Sequence, residues 1–286
     1  MSIERPEVMA ELPAEVSTYY STFAEESRLT TGASRLELER TKEILSRVLP
    51  PAPARIVDVG GAAGAYSLWL AGQGYDVHLV DASARLVEEA RRRNERATKR
   101  IASLTVADAR SLPQESMSAA AVLVMGPLYH LTEARDRAAA LVEAFRVAAP
   151  GGLVAVAAIS RYASTLDGLA RKLTRDPRFL AIRNRDLTDG QHRNGTERID
   201  YFTTAFFHRP DELSSELRAA GLAEVSVLGV EGPAWILHDF DERWDDPVLR
   251  EDVMDAARRL EAEPSILGAS AHLLGIGRKE VNRAWA

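Results

Sequence analysis

The chain has 286 residues, of which 46% are hydrophobic, so it can build a sizeable core in one large domain or two small ones. Its formal net charge of −6 disfavours nucleic acid and anionic membranes as partners. Because the chain has no cysteine, it has no disulfide, thiolate zinc site or cysteine nucleophile.

The start of the sequence lacks the basic and apolar segments of a secretory signal. Its longest apolar runs, residues 119–128 and 151–159, are shorter than the roughly 18 residues that cross a bilayer. We therefore expect a cytoplasmic protein with no membrane partner. Nothing in the sequence indicates an oligomeric state.

Apolar residues at helical spacing predict a first helix from about Ser34 to Val48, which a proline-rich linker at residues 50–53 ends. Residues 1–50 are accordingly expected to form an N-terminal helical cap. The sequence after this linker changes to short β-branched runs, which begin the next region.

Five short apolar runs in residues 51–160 predict strands buried on both faces of a sheet. They are residues 56–59, 77–80, 104–106, 121–124 and 153–156. One helix between them begins after the N-cap residue Ser83, and another follows Thr132. Alternating strands and helices indicate right-handed crossovers and a doubly wound α/β sheet, whose ligand site lies at the carboxyl ends of the strands.

Residues 161–209 interrupt this regularity with a polar, arginine-rich stretch, predicted to be an irregular insertion that covers the site as a lid. A surface excursion is the alternative. Residues 210–286 are expected to complete the core with a helix after Pro210, a strand at 225–230 and a last strand at 271–277. A helical excursion is expected near residues 246–263.

A glycine-rich turn, Asp58-Val59-Gly60-Gly61-Ala62-Ala63-Gly64, stands between the first strand and a helix. Glycines there permit positive φ and close approach of the backbone to a ligand. Asp81 directly follows the second strand, where a carboxylate is predicted to bind a ribose diol. Asp81 is equally compatible with capping the helix near Ser83, and the sequence leaves both roles open.

The two-residue steps between Gly60, Ala62 and Gly64 differ from the nicotinamide fingerprint. They resemble the Asp/Glu-x-Gly-x-Gly-x-Gly motif of class I S-adenosylmethionine-dependent methyltransferases, with Ala62 in place of the middle glycine. The resemblance continues through residues 106–109, 125–131 and 149–153 and covers roughly residues 54–160. It implies a Rossmann-like seven-stranded sheet with an antiparallel last strand. The Gly-Pro-Leu-Tyr-His-Leu segment looks like that of a subset acting on small molecules.

The resemblance also implies the cofactor, S-adenosylmethionine, and the residues that bind it. Asp108 is expected at the adenine amino group, and Arg28 is expected to pair with the methionine carboxylate, with an ordinary surface arginine as the alternative. The expected cofactor-binding residues are Tyr20, Arg28, Asp58, Gly60, Gly61, Ala62, Gly64, Asp81, Ala82, Asp108, Ala109 and Met125.

The loop after the fourth strand carries the candidate catalytic residues His130 and Tyr129, expected to orient or deprotonate the methyl acceptor. Alternatively, Tyr129 is a pocket wall and His130 bonds to the backbone. The expected substrate-binding residues are Tyr129, His192, His208, Glu231 and Trp235. His78 and His272 lie inside predicted strands and are expected in the core. No metal is expected, because the acidic residues from 239 to 246 are typical of a solvated face.

The sequence thus predicts transfer of a methyl group from S-adenosylmethionine to an O or N acceptor on a small molecule or a modest peptide. This in-line displacement depends mainly on aligning the two reactants in a water-poor pocket. One alternative is a nicotinamide-dependent oxidoreductase, which the glycine spacing and the reversed last strand disfavour. The other alternative is a non-catalytic regulatory protein that binds a nucleoside.

Overall fold

A sheet of nine strands runs through residues 29–281, which are the residues that the computed structural model describes. In chain order the strands are β1 (Arg55–Val59), β2 (Asp76–Asp81), β3 (Ser103–Val106), β4 (Ala119–Val124), β5 (Ala148–Ser160), β6 (Gln191–His192), β7 (Ala205–His208), β8 (Ala223–Gly229) and β9 (His272–Arg278). The first five are parallel and lie in the order β3-β2-β1-β4-β5. β9 is antiparallel to both β5 and β8. The predicted α/β class, Rossmann-like order and antiparallel last strand are confirmed.

Helices cover both faces of this sheet. They are α1 (Ser34–Val48), α2 (Ala65–Gly72), α3 (Ala84–Arg96), α4 (Pro127–His130), α5 (Ala134–Val147), α6 (Ala163–Ala170), α7 (Pro177–Asp189), α8 (Pro210–Ala219), α9 (Phe240–Asp245) and α10 (Pro247–Leu260). Short 3-10 helices lie at Leu173–Arg175, Ile199–Tyr201, Gly232–Ile236 and Leu267–Ala269. No helix in the described part of the chain is both long and apolar enough to cross a membrane.

The core has one apolar layer on each side of the sheet. Ile56 and Leu123 face α1, α2 and α3, whereas Val57 and Val122 face α5 and α8. Successive strand residues point to opposite faces, so a strand covered on both sides is apolar along its whole length. This explains why the strand runs lack polar alternation.

Helix α1 is tied to the C-terminal part of the chain through Arg40, whose side chain is fully buried. Arg40 donates to the carbonyl of Val230 at 3.3 Å, to Glu43 at 2.6 Å and to Glu261. A buried guanidinium needs such partners, because an unpaired charge in the interior is costly. The bonds to Val230 and Glu261 hold α1 against segments that follow β8 and α10.

The prediction of an irregular segment at residues 161–209 is wrong, because α6, α7, β6 and β7 lie within it. The polar, arginine-rich composition obscured a small core that Phe179 and Ile182 of α7 form with Tyr201. β7 pairs in parallel with the last two residues of β5, and β6 pairs with β7. The segment therefore continues the sheet at the carboxyl ends of the central strands.

Candidate functional site

A cavity of about 320 Å³ opens at the carboxyl ends of β1, β2 and β4. Many of the residues expected to bind the cofactor line it. They are Gly60, Gly61, Ala62, Asp81, Ala82, Asp108, Ala109 and Met125. Tyr20 and Arg28 lie outside the described residues. Lys42 of α1, Tyr66 and Arg93 also line the cavity, although the sequence analysis did not select them.

The glycine-rich turn adopts the left-handed backbone that its sequence favours. Gly60, Ala62 and Gly64 have φ of 76°, 45° and 83°, respectively. A Cβ on Gly60 would collide with the ring of Pro127, so glycine is needed there for space as well as for conformation. Ala62 adopts the same region despite its methyl group. The turn thereby places its backbone along the cavity.

The carboxylate of Asp81 fastens this turn to the end of β2. Its Oδ2 accepts from the amide of Ala62 at 2.9 Å, and its Oδ1 accepts from the amide of Ser83 at 2.8 Å. Ser83 itself caps α3, since its side chain accepts from the amide of Leu86. Of the two roles left open by the sequence, helix capping thus belongs to Ser83, while Asp81 lines the cavity.

Asp58 and Gly64 were both expected to bind the cofactor. They stand at the start and the end of the glycine-rich turn and do not line the cavity. The side chain of Asp58 is fully buried, and Ser67 donates to its Oδ2 at 2.6 Å. Within the described residues its Oδ1 has no hydrogen-bond partner. Burial raises the pKa of Asp58 to about 6, against the hydrogen bond from Ser67.

Asp108 lies at the other end of the cavity and is held by Arg110. The Arg110 Nη2 donates to Oδ2 of Asp108 at 2.6 Å, and the Arg110 amide donates to Oδ1 at 2.7 Å. Burial raises the pKa of Asp108, but these bonds outweigh it and hold the pKa below its ordinary value. Asp108 is therefore an ionised acceptor at neutral pH. Sequence reasoning missed Arg110, whose only signal was its position two residues after Asp108.

The Gly-Pro-Leu-Tyr-His-Leu segment forms α4, directly after β4. Tyr129 lines the first cavity and also a second one, whereas His130 lines only the first. The Nδ1 of His130 lies 3.4 Å from the carbonyl oxygen of Thr204, and the ring packs edge-on against Tyr129 at 4.7 Å. Tyr129 is therefore shared by the two cavities, and His130 lies next to it in the wall of the first.

The second cavity has a volume of about 470 Å³. Six aromatic residues contribute to its wall. The aromatic residues are Tyr129, Phe179, Tyr201, Phe202, Phe207 and Trp235. Asp167 and Asp200 also line it, and Arg171 donates to both carboxylates, at 3.0 and 3.3 Å. Trp235, expected to bind substrate, donates from Nε1 to the carbonyl of Ala269 and presents its ring to the cavity wall.

The structure gives the two other histidines expected at the substrate different surroundings. His192 lines the second cavity, but its Nδ1 lies 3.0 Å from a carboxylate oxygen of Asp186 and its Nε2 lies 2.8 Å from the carbonyl oxygen of Tyr201. Both ring nitrogens are engaged, so only the ring surface is available for contact. His208 lines neither cavity. It is fully buried beside Glu216, and burial lowers its pKa against the effect of that carboxylate.

His272, expected in the core, instead lines the second cavity. Glu231, expected at the substrate, lies behind it with 2% of its surface exposed and accepts from Nδ1 of His272 at 2.5 Å. Oε2 of Glu37 is 3.8 Å from the same nitrogen. Glu37, Glu231 and His272 each place one potential metal-ligand atom within 4.8 Å of the other two. The hydrogen bond already accounts for the contact between His272 and Glu231.

Comparison with known proteins gives one family match, over residues 56–152, to a family described as a methyltransferase domain. No curated protein matches the chain significantly in sequence. The matched residues contain β1 to β4, the glycine-rich turn and α4, and hence most of the first cavity.

Solved structures share the fold at low sequence identity. A Thermotoga maritima protein named as a possible histamine N-methyltransferase is 20% identical, with a TM-score of 0.56 over 92% of this chain and 99% of its own. A Methanosarcina mazei S-adenosylmethionine-dependent methyltransferase is 17% identical, with a TM-score of 0.57 over 84% and 98%. A Haemonchus contortus phosphoethanolamine N-methyltransferase, solved with phosphomonomethylethanolamine and S-adenosylhomocysteine, is 14% identical, with a TM-score of 0.55 over 85% and 52%.

Proposed function

We propose that the chain transfers a methyl group from S-adenosylmethionine to an O or N acceptor on a small molecule or modest peptide, a proposal supported by the match of residues 56–152 to a methyltransferase domain. The acceptor is proposed to occupy the second cavity. The observation that carries this proposal is the position of Tyr129, which lines both cavities. An acceptor beside Tyr129 is next to the cofactor cavity, as an in-line displacement requires.

The first cavity suits an adenosine carrying a charged amino acid. Asp81 and Asp108 offer carboxylate oxygens to hydroxyl and amino groups, and the turn at Gly60 brings the backbone close. We assign Asp81 to the ribose hydroxyls and Asp108 to the adenine amino group, with Ala82, Ala109 and Met125 as apolar walls. When bound, the sulfonium supplies an electrophilic methyl group, and the protein supplies alignment and exclusion of water.

His130 and Tyr129 are proposed to orient the acceptor. The Nδ1 of His130 lies toward the carbonyl of Thr204, and Phe202 stacks on the imidazole at 6.3 Å. These contacts hold the ring in one orientation beside the junction of the cavities. Nitrogen belongs among the candidate acceptors because two of the structural neighbours are named as N-methyltransferases.

A cofactor titration followed by a methyl-uptake screen tests the proposal. By calorimetry we expect S-adenosylmethionine and S-adenosylhomocysteine to bind and NAD not to bind. A library of small amines, phenols and alcohols is then incubated with methyl-labelled S-adenosylmethionine, and labelled product is sought. Binding of NAD instead would support the oxidoreductase alternative. Cofactor binding without transfer to any library member or to short peptides would support the non-catalytic alternative.

A further inference from the structure

His272 stands at the edge of the sheet where methyl transfer is proposed. It is the first residue of β9, and this strand is antiparallel to β5, with His272 opposite Ile159. The first residue of an antiparallel strand lies level with the carboxyl ends of its parallel neighbours. Ile159 and His272 both line the second cavity, so the imidazole belongs to the cavity wall.

Glu231 holds this imidazole in a defined state. Its Oε1 accepts from Nδ1 of His272 at 2.5 Å, and its Oε2 accepts from Ser270 Oγ at 2.6 Å and from the His272 amide at 2.9 Å. Both Glu231 and Ser270 are buried. With Nδ1 donating to a carboxylate, Nε2 is the basic nitrogen of the ring. The carboxylate also stabilises the imidazolium that forms when Nε2 takes a proton.

With the imidazole in the neutral form described above, the carboxylates around His272 favour a cationic ligand at this end of the second cavity. Glu37, which is also buried, directs Oε2 to within 3.8 Å of Nδ1, so two buried carboxylates converge on one imidazole. Buried negative charges strongly favour a cation beside them. In the same cavity, burial raises the pKa of Asp167, although Arg171 acts in the opposite direction. A bound ammonium would stabilise the ionised form of that carboxylate as well.

The aromatic wall offers the second kind of contact that an organic cation uses. Phe202, Phe207 and Trp235 line the cavity with His272 and Asp167. Aromatic faces attract ammonium groups through the ring quadrupole, and they also bury the apolar body of a ligand. Carboxylates combined with aromatic faces distinguish an amine from an alcohol of the same size, because only the amine is charged at neutral pH.

We propose that the second cavity binds the methyl acceptor as a compact organic amine with an aromatic body, and that His272, held by Glu231, takes its proton. This rests on the function proposed above. The ammonium loses one proton to Nε2 of His272, which becomes an imidazolium. The neutral amine nitrogen then forms the N–CH₃ bond as the S–CH₃ bond breaks, and the electron pair of that bond stays on sulfur. The methylated ammonium leaves, and the imidazolium releases its proton to water.

Binding without turnover tests the proposal directly. The protein is saturated with S-adenosylhomocysteine, and 2-phenylethylamine and 2-phenylethanol, which match in size, are titrated by calorimetry at pH 7. We expect the amine to bind at least about tenfold more tightly, in line with a desolvated cation on carboxylates and rings. Glu231→Gln keeps the size of the side chain and is expected to remove most of this preference. Glu224→Gln, the same change at an exposed position of β8, is expected to preserve it.

Each result decides the proposal. Equal or tighter binding of the alcohol, or no binding of either compound, would overturn the choice of an amine. An unchanged preference in Glu231→Gln would overturn the role of the Glu231 and His272 pair, provided that its cofactor affinity and thermal melting match the parent. As a second readout, ¹⁵N NMR of His272 is expected to show a proton on Nδ1 in the parent. Because no methyl group is transferred here, failure of the methyl-uptake screen leaves these results standing.

Discussion

Nδ1 of His272 lies 2.5 Å from Oε1 of Glu231, although 41 residues separate them in the chain. This contact gives the second cavity a histidine whose tautomer is set by a buried carboxylate. His130, in the wall of the first cavity, has a longer contact of 3.4 Å to a backbone carbonyl. The roles that we propose for the two histidines, proton transfer for His272 and orientation of the acceptor for His130, can therefore be tested separately.

Loss of the His272 imidazole is expected to affect chemistry and leave cofactor binding intact. With an amine acceptor found in the screen, His272→Gln is expected to lower the single-turnover rate roughly 10²–10⁴-fold, as for removal of a general base. The rise of rate with pH that is expected of the parent should also disappear. His78→Gln, a change on β2 away from both cavities, is the matched control. A parent-like rate and pH profile in His272→Gln would contradict the assignment.

Substitutions of His130 test its orienting role. His130→Ala is expected to lower the rate by about 10²-fold through misalignment of the acceptor. His130→Gln, which retains polar contacts, should keep most of the rate, and cofactor affinity should change little in both. Single-turnover rates over pH 6 to 9 separate the outcomes. A fall of about 10²–10⁴-fold in both variants would assign the base to His130 instead, and a parent-like rate in His130→Ala would reject both roles.

Asp81 is expected to contribute strongly to cofactor affinity, because it lines the cavity and fastens the amide of Ala62. Asp81→Ala should weaken S-adenosylmethionine binding about tenfold to a hundredfold, the cost of a charge-assisted hydrogen bond. Asp76→Ala, at the opposite end of the same strand, is the control. Calorimetry of both variants checks the prediction. Equal affinity in Asp81→Ala and the parent would remove Asp81 from the ribose site.

Residues 161–209 are predicted to act as a lid that becomes ordered over the bound ligands. Several aromatic residues of the second cavity, Phe179, Tyr201, Phe202 and Phe207, come from this segment. Amides of residues 187–198 should therefore exchange hydrogen faster in the ligand-free protein than with both ligands bound. Hydrogen exchange read by mass spectrometry measures the difference. Equal protection in the two states would show that the segment is a fixed wall.

Burial of Asp58 predicts a specific dependence of stability on pH. Its folded-state pKa of about 6 lies above the ordinary value of 3.8, so the folded state holds the proton more tightly. The stability that Asp58 contributes is present below pH 3.8 and is lost as pH rises through 6. Asp58→Asn lacks this loss and keeps an acceptor for Ser67.

Urea unfolding without ligand at pH 4 and pH 7.5 measures this effect. The free energy of unfolding of Asp58→Asn, relative to the parent, should rise by up to about 3 kcal/mol between the two pH values, the equivalent of two pKa units. If the free energy of unfolding depends on pH in the same way in both proteins, the pKa of Asp58 is not raised in the folded state. Asp211→Asn, at an exposed position in the first turn of α8, provides a control for the substitution itself.

Much of the sheet and of the first cavity was determined by local sequence. A strand, a turn with glycines at positive φ and a helix are encoded within about ten residues, so the positions of Gly60 and Gly64 followed from spacing. The bounds of α1 were predicted for the same reason, whereas the antiparallel direction of the last strand was implied by the family resemblance. Asp81 is the last residue of β2, and Asp108 lies two residues after the end of β3. Both could therefore be predicted to lie at the carboxyl edge of the sheet.

The tertiary structure alone decided which histidines line a cavity and which ring nitrogens are already engaged by other residues of the protein. His192 and His208 were plausible substrate residues by sequence. In the fold, however, one ring nitrogen of each lies within hydrogen-bond distance of a carboxylate, that of Asp186 and of Glu216, respectively. His272 looked like a core residue because it begins an apolar strand, and only the docking of that strand beside β5 exposes it to a cavity. Periodicity reports whether a residue faces an interior. Whether that interior is a packed core or a cavity depends on segments far away in the chain. Their packing cannot be predicted from a local pattern.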